Sequence, residues 1–88
     1  MNEARDIRLK RLRLRSWRRG IKEMDLILGG FADTCLKDLL DTDLDAHEAL
    51  MSEMDQDLYA WINGAQPAPA HHRPALDKIL TYLSSVSF

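Results

Sequence analysis

The sequence predicts an all-α protein, a compact bundle of about five short helices. Three observations carry that expectation. Apolar residues recur at steps of three and four in the second and last of the periodic segments, which places them on one helix face. Glycine and proline punctuate the segments at their ends and in one loop. No segment offers a convincing strand with a partner to pair with. At 88 residues the chain is expected to form a single helical domain over residues 1–88.

The first helix is expected from about Asn2 to Arg18, a stretch of Arg, Lys and Leu with good helix propensity. Ile7, Leu14 and Trp17 share one side, while Leu9 and Leu12 fall elsewhere. Residues 10–15 alternate with period two, which would suit a strand, but nothing is available to pair with it. Gly20 is the natural stop, since a residue without Cβ can take the left-handed conformation that closes a last turn. The second helix is expected from about Ile21 to Leu40, with Met24, Ile27, Leu28, Phe31, Cys35, Leu36 and Leu39 along its buried face. Gly29-Gly30 interrupts it, so the helix either bends there or lets another backbone come close. A third helix is expected to start at Thr42 or Asp43, both good capping types, and to end near Met54. Asp55 is expected to cap a short fourth helix carrying Leu58, Tyr59, Trp61 and Ile62, closed by Asn63-Gly64. Pro67 and Pro69 make residues 65–73 a loop. Pro74 suits the first turn of the fifth helix, where Leu76, Ile79, Leu80 and Leu83 form the stripe.

A domain of this size buries only about 60–65 % of the surface its unfolded chain exposes. The core is thin, and a pocket enclosing both cofactor and substrate is not expected. Binding to something larger is the easier use of such a chain, and no enzyme activity is expected. The net charge of -2 hides an asymmetry. Nine of the 12 basic residues are Arg5, Arg8, Lys10, Arg11, Arg13, Arg15, Arg18, Arg19 and Lys22, whereas the acidic residues concentrate between Glu23 and Asp57. A basic end of this kind attracts phosphate, anionic lipid or an acidic protein surface. No apolar run approaches the roughly 20 residues that span a bilayer, and the first helix lacks a continuous apolar face for a membrane surface. The Arg-rich start invites comparison with a mitochondrial presequence, but Glu3 and Asp6 interrupt it and Ser16 is its only hydroxyl residue. A single cysteine, Cys35, forbids an internal disulfide and suits a reducing compartment. The bacterial cytoplasm is the location expected.

Few residues suggest catalysis or metal binding. Adjacent histidines such as His71 and His72 rarely point at one ion, and no Cys or Glu stands nearby at ligand spacing, so exposed loop histidines and no metal site are expected. Cys35 is expected in the core. No glycine-rich phosphate loop is present, since Gly29-Gly30 lacks the spacing and the Lys-Ser/Thr end. Asp41, Asp43 and Asp45 alternate at a helix start, where the macrodipole explains them without a calcium loop.

The stretch Trp17-Arg18-Arg19-Gly20-Ile21-Lys22-Glu23-Met24-Asp25 stands apart. Its charges crowd the junction between two helices. They can serve the helix ends alone, with Arg18 and Arg19 at a carboxyl end and Glu23 in a first turn. Alternatively, Gly20 lets a partner backbone approach while Arg19 and Glu23 present a donor fork and an acceptor beside it. Residue chemistry leaves both readings open.

This stretch resembles the signature of the succinate dehydrogenase assembly factors that promote covalent flavinylation. That family carries an Arg-Gly-x-x-Glu motif after a short basic helix, matched here by Arg19, Gly20 and Glu23, with Met24-Asp25 as its continuation. A second segment, Asp55-Gln56-Asp57-Leu58-Tyr59-Ala60-Trp61-Ile62, resembles the family's Asp-x-Asp-Leu-x-x-Trp element. Gly29-Gly30 departs from the bulkier residues or proline that members often carry there. The resemblance implies a five-helix bundle that binds the flavoprotein subunit of succinate dehydrogenase or fumarate reductase; a monomer is expected. It implies help in joining FAD covalently to that subunit, with no cofactor held stably by this chain. Partner binding would fall to Arg15, Arg18, Arg19, Gly20, Glu23 and Asp25. The competing reading is a nucleic-acid-binding or antitoxin-like module that uses Arg8, Arg11, Arg15 and Arg18 on one side of the first helix. That reading leaves Gly20 and Glu23 without a role, so no specific nucleic acid is expected.

Overall fold

Every regular element among the described residues is helical. A computed structural model describes residues 4–17 and 19–86. They form α1 (Arg5–Trp17), α2 (Lys22–Cys35), α3 (Asp41–Met51), α4 (Asp55–Ile62) and α5 (Arg73–Ser85), with short 3-10 turns at Leu36–Asp38 and Ala70–His72. The chain forms two compact units, the first ending at Leu39 and the second beginning at Leu40. Both boundary residues take extended backbone, with ψ of 145° and 160°. No helix among the described residues is long and apolar enough to cross a membrane.

In the first unit α1 packs on α2. Leu12, Met24, Leu28, Phe31, Ala32 and Leu36 form its core. Burying each large side chain contributes about 1.5–3 kcal/mol. The side of α1 that turns inward carries Leu12 and Ser16, and Ser16 satisfies its buried hydroxyl by donating to the Leu12 carbonyl at 2.8 Å. Ile7 and Leu14 remain at the surface, and Trp17 is partly exposed. The α-helical part of α2 ends at Cys35, short of the Leu40 expected. The chain then tightens into the 3-10 turn, whose Leu36 carbonyl accepts the Leu39 N–H at 3.1 Å. The Arg5 guanidinium donates to the carbonyls of Lys37 (3.2 Å) and Leu39. It thereby satisfies carbonyls that a helix end leaves without an intrahelical donor.

In the second unit α3 packs on α5, around Leu44, Leu50, Met51, Leu58, Leu76 and Ile79. Two capping expectations fail here. The residue before α3 is Leu40, and the residue before α4 is Met54; neither helix start has a side-chain cap. Asp41 and Asp43, like Asp55 and Asp57, sit inside the first turns, where their charge suits the macrodipole. The starts are set by the amides of Leu44 and Leu58, which bond to the carbonyls of Leu40 (2.9 Å) and Met54 (3.0 Å) as their side chains bury. Helix α3 closes at Met51, short of the Met54 expected, and Met54 lies exposed. Gly64 takes a φ of +81° just beyond α4, where Asn63 Oδ1 accepts the Ala65 N–H at 2.8 Å. Pro74 stands in the first turn of α5 as expected.

Candidate functional site

The loop between α1 and α2 concentrates the motif residues. Gly20 has a φ of +91°, the left-handed region that L side chains rarely occupy, and its α-carbon faces open space. Its glycine is therefore demanded by backbone conformation and not by crowding. Ile21 then returns to extended backbone (φ -120°, ψ 121°) and leads into α2. The loop is held from the helix side. Asp25, in the first turn of α2, accepts the backbone N–H of Arg19 at 2.8 Å, while its own amide bonds to the Ile21 carbonyl at 2.9 Å. A carboxylate reaching back from a helix start to a preceding amide combines capping with a favourable macrodipole interaction. Gly20, Ile21, Lys22 and Glu23 are exposed around this fixed point, and Arg19 is half-buried. Arg15 lies one turn earlier on α1, half-buried. Arg18 lies outside the described residues.

The entry to the loop is clamped by Trp17. A Cβ placed on Gly29 would overlap the six-membered ring of this indole, so only glycine lets the ring lie against α2. The indole Nε1–H donates to Asp33 Oδ2 at 3.2 Å, and Arg13 Nε donates to Asp33 Oδ1 at 3.0 Å. Gly29 and Asp33 are four residues apart, hence on one face of α2. Gly29 thus admits a side chain, a third outcome beside the bend or close backbone expected of the glycine pair, and α2 runs through the pair as one helix. Trp17 is 38 % exposed, and with Lys10, Arg13 and Leu14 it lines a shallow groove.

A family model described as the flavinator of succinate dehydrogenase matches residues 10–84. The chain belongs to that family. Among its curated relatives is succinate dehydrogenase assembly factor 2, mitochondrial, of Candida glabrata, 36 % identical over 88 residues, which cover 99 % of this chain and 58 % of the relative. The protein of the same name from Saccharomyces cerevisiae strain S288c is 36 % identical over 87 residues, covering 98 % of this chain and 54 % of the relative. The Mycosarcoma maydis protein of that name is 39 % identical over 69 residues, covering 78 % of this chain and 29 % of the relative. This chain therefore spans little more than half the length of the two yeast relatives. The expectation of a bacterial cytoplasm is overturned by these comparisons, since each relative is fungal and named mitochondrial.

Within this flavinator-family chain, the motif residues expected to share one site fall into two tasks. Gly20 and Glu23 are displayed, whereas Asp25 directs its carboxylate at the loop backbone and so builds the display. Gly29 and Asp33 were not legible as site residues. Their four-residue spacing was a usable signal, but nothing in the sequence said that Trp17 would meet them. The basic residues of α1 are likewise divided: Arg5 and Arg13 are engaged with this unit's own carbonyls and carboxylate. Two further expectations need correction. Cys35 is only half-buried, at the very end of α2. Partial burial, helped by the nearby Asp38 charge, pushes its thiol pKa up. His72 is buried at 3 % exposure, and its Nε2 lies 2.7 Å from Glu53 Oε2, so the histidine pair does have a glutamate beside it. The packing of α3 against the 3-10 turn supplies that neighbour.

Proposed function

We propose that this chain is a non-enzymatic assembly factor that docks on the flavoprotein subunit of succinate dehydrogenase and promotes its covalent flavinylation. Family membership supports the choice of partner. The observation that carries the docking site is the Arg19–Glu23 loop, displayed around a left-handed Gly20 and anchored by Asp25. Gly20 carries no side chain into the space in front of it, so a partner backbone can approach there. Arg19 supplies a planar donor fork and Glu23 an exposed acceptor within the same motif. Arg15, half-buried on α1, extends the basic side of the patch; Arg18, also expected to bind the partner, lies outside the described residues. The exposed Leu14, Trp17 and Ile21 give it apolar area, the composition of an interface with aromatic and arginine anchors.

In this reading FAD is attached in the partner's own site, and the chain holds no flavin stably. It acts as a monomer. The flavoprotein of fumarate reductase is a second client of the same chemistry. The test is covalent-flavin fluorescence of the flavoprotein subunit in a strain lacking the factor, complemented with each variant at matched expression. Losing a buried charge-assisted contact typically costs about 2–5 kcal/mol of binding, roughly thirtyfold or more in affinity. Arg19→Ala and Glu23→Ala should leave a folded helical protein that no longer supports flavinylation. Arg73→Ala, which removes only an exposed pair with Asp77 one turn along α5, is the control. Full flavinylation with the Arg19 and Glu23 variants would show that these side chains serve the helix ends alone.

A further inference from the structure

We propose that Glu53, His71 and His72 form a binding site for a zinc-class divalent cation. One carboxylate oxygen and one ring nitrogen from each histidine lie within 4.8 Å of one another. The sequence argued against this site on two grounds, and the fold removes both. The rings of the adjacent histidines do converge, with centroids 4.0 Å apart, because they sit in the tight 3-10 turn before α5. The glutamate missing from the local sequence arrives from just past α3, where the Glu53 amide is fixed to the Leu50 carbonyl at 3.1 Å.

The three groups differ in a way that suits a cation. His72 is the fixed member: it is buried, its amide bonds to the Pro69 carbonyl at 3.0 Å, and its ring packs 5.7 Å from that of Trp61. Glu53 and His71 reach it from the surface, the Glu53 side chain being 38 % exposed and His71 exposed. Donors on one tetrahedral zinc at 2.0–2.1 Å stand roughly 3.3 Å apart. The His72–Glu53 contact of 2.7 Å must therefore open slightly, and no other spacing need close by more than about 1.5 Å. Rotation of the two surface side chains can supply both movements. Two imidazoles and one carboxylate favour zinc or cobalt over the oxygen-seeking calcium and magnesium. The exposed side of His71 leaves a fourth position to water. Each imidazole would bind through an unprotonated ring nitrogen. A bound ion would tie the end of α3 to the turn before α5 and raise the melting temperature.

Cobalt titration of the full chain tests the site. Saturation at one equivalent, with the absorption of four-coordinate cobalt and its displacement by zinc, is the expected result. The chain has two tryptophans, so a Trp17→Phe background isolates Trp61, whose fluorescence should be quenched in step with cobalt binding. His71→Ala and Glu53→Gln alter surface-reaching groups and should each weaken binding at least about tenfold, the lower end of what metal-supporting residues contribute. His72→Ala should abolish it, with a thermal melt run alongside because that residue is buried. Absence of saturable cobalt binding overturns the proposal. So does affinity unchanged by either His71→Ala or Glu53→Gln.

Discussion

Gly20 and Asp25 divide the work of the motif loop at the scale of single residues. Gly20 supplies a backbone conformation, with φ +91° and no neighbour to crowd a side chain. Gly20→Ala should therefore cost about 1–2 kcal/mol of stability from left-handed strain, and the β-branched Gly20→Val somewhat more. A chemical denaturation series on the two variants checks this, and wild-type stability in both would contradict the left-handed turn. Asp25 supplies an acceptor for the Arg19 amide. Asp25→Ala removes it and should cost about 0.5–2 kcal/mol, the range for lost capping groups. Asp25→Asn retains an oxygen and should recover most of that loss in the same denaturation assay; equal loss in both variants would mean that the charge and not the hydrogen bond matters. Cys35 gives a pH prediction. Partial burial and the Asp38 charge raise its pKa, so the neutral thiol is favoured in the folded chain. Alkylation at pH 8 should be slower than that of free cysteine and should accelerate in the unfolded chain. The linked stabilisation is fully present below the unfolded pKa and is lost as pH rises through the higher folded value.

At the scale of elements, the crossing of α1 and α2 rests on one ring and the space left for it. Trp17 occupies the volume that a side chain at Gly29 would need, and Asp33 receives both its indole N–H and the Arg13 guanidinium. Gly29→Ala should displace the ring and cost about 1–3 kcal/mol, the range for overpacking. Trp17→Ala should lessen the penalty of Gly29→Ala, giving a coupling energy in a double-mutant cycle. Additive effects would mean that ring and glycine do not meet. The Arg13–Asp33 pair is exposed on both sides and contributes at most about 1 kcal/mol, so the clamp is chiefly steric. Leu12 is the buried anchor of α1 in this unit, and Leu12→Ala should cost about 2–5 kcal/mol.

For the whole molecule, charge is the property that sums. The basic residues gathered before Glu23 act on a partner beyond contact range, within a Debye length of about 8–10 Å at physiological salt. Association with an acidic partner surface should therefore slow as ionic strength rises, while dissociation changes less. Stopped-flow association at two salt concentrations measures it, and salt-independent association would assign the encounter to apolar contacts instead. The nucleic-acid reading is tested on the same axis. Tight, salt-dependent binding to generic duplex DNA would favour it.

The sequence by itself determined the helical class, the order of the five helices and the family, because periodicity, proline and glycine placement and two short motifs are local properties. It also determined that Gly20 would take a left-handed turn, since a glycine at a helix end is a local conformational signal. Tertiary structure alone decided which side of α1 turns inward. Ile7, Leu14 and Trp17 align as well as Leu12 and Ser16 do, and only the partner helix α2 chooses between them. It decided the starts of α3 and α4, where burial of Leu44 and Leu58 prevailed over the preference of Thr42 and Asp55 for capping. It decided what Gly29 is for, because the ring it admits lies twelve positions earlier in the chain. It also brought Glu53 to His72 across a separation of 19 residues, a proximity that arises from packing and leaves no trace in local spacing.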